Sequence, residues 1–135
     1  MWVRLSNTQN STIWADLFSL NLTKGSVTEP FRVEVTGNGS ANFAVFNNNI
    51  SGVQGASAPF SLIKNQWQHI IIIKNGALIT SYVNGIKCGE SSLINSANAY
   101  TTGEFHIGNE GMYCDYNDVR IYNHCLSPRE IQLLA

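Results

Sequence analysis

The carboxylates come first, because paired acids are the commonest route to hydrolysis. Their densest grouping is Glu110, Asp115 and Asp118. A retaining pair acting on one sugar must hold its carboxyl groups about 5–5.5 Å apart. Asp115 and Asp118 differ by three positions, so on a strand they face opposite sides. His69 and His106 lie inside apolar strand patterns, which suits structural hydrogen bonding better than base catalysis. No serine stands in a nucleophile elbow, and no glycine-rich phosphate loop is present. No catalytic residue is therefore assigned. Sugar contact asks for something else: an exposed aromatic face to stack on a pyranose, with planar amides and carboxylates to bond the hydroxyls. Tyr100, Tyr113, Tyr116 and the loop Asn47, Asn48, Asn49 are the candidates. Trp2, Trp14 and Trp67 are read as core or half-buried anchors, and Tyr82 and Tyr122 as cover for a sheet.

The elements that must position these groups are bounded by composition. A chain of 135 residues suits one domain, spanning 1–135, with room for a real core. Hydrophobic residues make up 44%, but charged residues only 13%, about half the usual share. Asparagine, serine, threonine and glycine take their place and favour turns. A net charge of −1 argues against nucleic acid, which needs a concentrated basic surface. No apolar run reaches the ~20 residues of a membrane span, and the opening Met-Trp-Val-Arg-Leu does not read as a signal peptide. Cys88, Cys114 and Cys125 are far apart, without zinc-ligand spacing. They are read as small buried apolar residues, with a single disulfide as the alternative.

Along the chain, periodicity points to strands. Phe31 to Val35 alternates strictly, placing Phe31, Val33 and Val35 on one face and Arg32 and Glu34 on the other. The Asn38-Gly39 turn leads to a return strand from Ser40 to Phe46. The run Gln68 to Lys74 holds four isoleucines and reads as a central buried strand. Asn75-Gly76 and Asn84-Gly85 then divide the chain into a three-stranded antiparallel meander. Glu104–Ile107 and Met112–Asn123 supply the last strands, with Val119 and Ile121 facing inward and Arg120 and Tyr122 outward. Only the end is helical: Ser127 as N-cap, Pro128 at the first position and Glu130 at the third form a capping box, stapled by Leu126 and Ile131. Short strands with one terminal helix make an all-β antiparallel sandwich.

Five pieces in fixed order then carry a family resemblance: Trp67-Gln-His69, Tyr82-Val-Asn-Gly85, Phe105-His-Ile-Gly108, Asp118-Val-Arg-Ile-Tyr-Asn123 and Leu126-Ser-Pro-x-Glu-Ile131. In this order they resemble the laminin-G-like, concanavalin A-like jelly roll of bacterial surface and phage structural proteins. The match covers 67–131 well and the first half loosely. Asn117 and Cys125 replace the family's usual Asp and Ala.

The resemblance implies a non-catalytic adhesion or decoration module of a larger surface assembly, most readily a phage virion or fibre, located on a virion, outside the cell or at its surface. The alternative is a carbohydrate-binding module attached to an enzyme or a bacterial surface protein. Glycosidases of the fold carry E-x-D-x-x-E on one strand, and that stretch is missing here. Some laminin-G-like domains bind calcium through loop oxygens; the candidates for it are Asp16, the Asn47–Asn49 loop, and Glu110 with Asp115, though none has the spacing of a calcium motif. No other cofactor is implied. Family members carry a further strand before the one that Met1–Leu5 resembles. Its absence here implies either that the chain is a fragment of a longer product or that a partner segment or subunit completes the sheet edge.

Overall fold

A computed structural model of the chain describes residues 1–6, 14–24, 27–36, 42–46, 57–92, 102–108 and 112–135. Ten strands and one helix are found there: β1 Trp2–Leu5, β2 Trp14–Lys24, β3 Val27–Thr36, β4 Asn42–Phe46, β5 Ser57–Phe60, β6 Trp67–Asn75, β7 Leu78–Val83, β8 Ile86–Ser92, β9 Thr102–Ile107, β10 Cys114–Asn117 and α1 Pro128–Leu134. They form two antiparallel sheets, in the orders β10-β1-β6-β7-β8 and β5-β4-β3-β2-β9. The all-β sandwich expected from periodicity is the fold.

Turn chemistry sets the meander. Asn84 and Gly85 take φ of 49° and 75°, the paired positive values of a I′ hairpin. The side chain of Asn84 locks that turn by accepting the His69 amide at 2.8 Å. The preceding hairpin is shifted by one residue from the sequence expectation. Asn75 ends β6, and Gly76 (φ 56°) with Ala77 makes the turn, a II′ arrangement in which glycine leads. The Asn38-Gly39 turn lies outside the described residues, but the strands around it pair as foreseen, Phe31 opposite Phe46.

Period-2 alternation fills the core. Val3 and Leu5 of β1, Ile70 of β6, and Ile79 and Val83 of β7 meet Leu17 of β2 and Val33 and Val35 of β3, all buried. At one margin β5 lies against β7 and β8. There the wholly buried Ser81 hydroxyl donates to the Pro59 carbonyl at 2.7 Å, and Gly89 has Pro59 where a Cβ would stand. Toward the other margin, the Tyr116 hydroxyl of β10 donates to the Leu17 carbonyl at 2.9 Å. Helix α1 begins with the expected capping box, and Ile131 is its one buried residue.

Three expectations are corrected. The last strand ends at Asn117 instead of running to Asn123. Asp118 turns to φ 51°, and among the described residues no strand lies alongside 118–123 to hold it extended. Ile121 is accordingly 72% exposed rather than inward. The cysteines are free thiols: Cys88 and Cys125 are exposed, and only Cys114 is partly buried, where desolvation pushes its thiol up to about 11. His106 is exposed on β9, 3.5 Å from Glu104, rather than set within a packed face.

Candidate functional site

The face of the β10-β1-β6 sheet turned away from the core carries the most functional chemistry. Val3 and Leu5 point inward, so Trp2 and Arg4 point outward. Register places Arg4 between Trp67 on β6 and Asp115 on β10. Its guanidinium grips the Asp115 carboxylate through two nitrogens, at 2.8 and 2.7 Å, and lies 5.2 Å from the Trp67 ring centre. Trp67 is 41% exposed, and Tyr113, Asp115 and Asn117 are exposed as well. An ion pair this open adds at most about 1 kcal/mol to stability. What it does is hold a charged, planar hydrogen-bonding edge beside an accessible indole. That combination can stack on a sugar ring and bond its hydroxyls.

In the next row Trp2 packs on His69, ring centres 5.1 Å apart. His69 is buried, and its pKa falls to about 4 because burial disfavours the imidazolium and the Met1 ammonium, 3.4 Å from Nε2, repels it. Folded His69 is neutral, whereas the unfolded residue titrates near 6.5. Its contribution to stability is complete above pH 6.5 and is lost as pH falls towards 4. The full shift is worth about 3 kcal/mol, which solvent screening reduces to about 2 kcal/mol over that window. Urea midpoints at pH 7 and pH 4 for the wild type and His69→Gln test this. The pH-dependent loss should shrink by that amount in the variant, and an unchanged loss would refute the assignment.

The residues singled out from sequence separate. Asp115 is on the outer face, across Arg4 from Trp67, and Tyr113 is exposed just before β10. Tyr116 is turned inward to Leu17, its hydroxyl pushed well up by burial, so it offers no sugar contact. Asp16 belongs to the other sheet, directly opposite Glu34 on β3. Burial raises both carboxyls, and Asp16 raises Glu34 further. Arg32 approaches Glu34 at 3.9 Å. Asn47, Asn48, Asn49, Tyr100 and Glu110 lie outside the described residues. Among the described residues, no three His, Cys, Asp or Glu converge on a metal position, and no helix is long and apolar enough to cross a membrane.

Two features escaped the sequence reading. Trp67, expected as a core or half-buried anchor, is 41% exposed, and the phase of its strand accounts for it: Gln68 and Ile70 are inward, so Trp67 is outward. The Asp16–Glu34 opposition depends on the β2–β3 register, which has an irregularity between Asp16 and Phe18 that no local pattern announces.

The fold and this face define a two-layer antiparallel sandwich of the jelly-roll class, with a flat aromatic and charged surface on one sheet. The family model of the concanavalin A-like lectin/glucanases superfamily matches residues 1–132, and the chain belongs to that family. No curated protein matches the chain.

Proposed function

We propose that the chain is a non-catalytic adhesion module of a larger surface assembly, of the kind found on phage virions and bacterial surfaces, and that it holds a glycan against the Trp67–Arg4–Asp115 row. The observation that carries this reading is the accessible Trp67 indole, flanked by an Arg4–Asp115 pair too exposed to add more than about 1 kcal/mol of stability. Contact is favoured over cleavage because Asp115, the acid of this face, is engaged by Arg4 and has no second carboxylate opposite it in register. A glycan array identifies the ligand, and titration of the best hit tests the row. Trp67→Ala should weaken binding roughly 30-fold, the loss of one aromatic hot spot. Its melting temperature should stay within about 2 °C of wild type. An array without a hit, or a variant that binds as tightly as wild type, overturns the site. Release of reducing sugars from a polysaccharide panel would overturn the non-catalytic reading.

A further inference from the structure

We infer that the Trp67–Arg4–Asp115 row takes neutral sugars with adjacent hydroxyls and turns acidic ones away, and that Asp115 sets this choice. The inference rests on the glycan reading above and names the class of sugar it admits.

The choice follows from how Arg4 is held. Its Nε and Nη2 both donate to the same oxygen, Asp115 Oδ2, at 2.8 and 2.7 Å. A guanidinium carries five N–H groups in one plane, so three are left, one on Nη2 and two on Nη1. The carboxylate accepts through two oxygens, and among the described residues nothing bonds Oδ1. Donors and an acceptor thus stand side by side, next to the exposed Trp67 ring. A hydroxyl is itself both donor and acceptor. Two adjacent hydroxyls of a pyranose meet both partners, one accepting from Arg4 and the other donating to Oδ1. The apolar face of the sugar ring then lies on the indole.

An anionic sugar meets the same row differently. Its carboxylate or sulfate has no hydrogen to give Oδ1, and Asp115, in contact with Arg4, cancels most of the attraction. The anion would lose its hydration shell without a compensating Coulomb gain. No positive field from the wider surface offsets this. The chain carries a net charge of −1. Asp118 is paired with Arg120, and Lys87 with Glu90, each at 2.6 Å. The next row of the face, His69, Trp2 and Asn117, is uncharged as well, because burial keeps His69 neutral. Without the carboxylate of Asp115, Arg4 would be an open guanidinium beside a tryptophan, able to grip a carboxylate or sulfate with two nitrogens.

The test is a glycan array that displays each oligosaccharide backbone both in neutral form and carrying a sialate, uronate or sulfate. The wild type should bind neutral members at least about tenfold more tightly than their charged counterparts. Its affinity for the strongest neutral hit should change less than about twofold between roughly 50 and 500 mM NaCl. Asp115→Asn keeps an acceptor but removes the charge. The variant should bind the charged counterparts about tenfold more tightly than the wild type does, in a salt-sensitive manner. Because the pair is exposed, its melting temperature should stay within about 2 °C of wild type. A wild type that prefers the charged members overturns the inference and leaves the glycan reading standing. So does an Asp115→Asn variant that binds them no better than the wild type. An array with no hit, or neutral binding that survives Trp67→Ala unchanged, overturns both.

Discussion

Gly89→Ala is expected to cost about 3 kcal/mol, the upper range for overpacking, and to lower the melting temperature by roughly 10 °C. Gly89 is paired with Ser81 on β7, and a Cβ on it would stand 2.6 Å from Pro59 Cδ and 2.7 Å from the Pro59 carbonyl oxygen. Neither atom can yield cheaply. The proline ring is fixed to its backbone, and the carbonyl accepts the buried Ser81 hydroxyl. The methyl must therefore push β5 away from β8. Gly76→Ala is the control: its Cβ meets nothing within 4 Å, and only the positive φ of 56° is strained, for about 1 kcal/mol. Equal melting temperatures for the two variants would show that the close approach to Pro59 is not what matters.

The second large effect belongs to Ile131→Ala. Truncating a buried isoleucine costs about 2–5 kcal/mol, and Ile131 is only 2% exposed. A seven-residue helix is too short to stand alone in water. Its capping box adds only about 1 kcal/mol, so docking through Ile131 is what keeps α1 folded. The variant should release the helix while the sandwich persists. Amides of 128–134 should exchange near unfolded rates, and those of Val33 and Ile79 should remain slow. Simultaneous loss of protection at all of them would mean that the helix is integral to the sandwich. The cap also has a pH sense. The Ser127 hydroxyl and amide hold the Glu130 carboxyl below its ordinary value, so the cap is intact above the usual carboxylate range and fails as pH falls through the lowered value.

What could be read beforehand was whatever depends on near neighbours. Alternation in Phe31–Val35, the Asn84-Gly85 turn, the isoleucine run and the Ser127–Glu130 cap are each fixed within a few residues, and each stands where periodicity put it. The larger failures required a partner from elsewhere. Val119–Tyr122 has the pattern of a strand, but a strand exists only when something lies beside it. Cys88 and Cys125 looked like core residues because a thiol is small and apolar; their exposure is decided by which face of the fold they reach. The outer face of the β10-β1-β6 sheet was half legible. Asp115 and Tyr113 were picked out for their chemistry, whereas Arg4 joins them only because the register of β1 sets it between Asp115 and Trp67. Tyr116 was lost for the same reason, being one step out of phase with Asp115 and so committed to Leu17.

The two long margins of the sandwich are unequal. Along β5 and β8 the layers are stitched by Ser81, Pro59 and Gly89, whereas next to β6 they stand apart over a ring of phenylalanines. Such a body behaves mechanically like a book with a spine. Thermal breathing, solvent entry and any applied tension must all act first at the fore-edge, and the bound margin is the last to part.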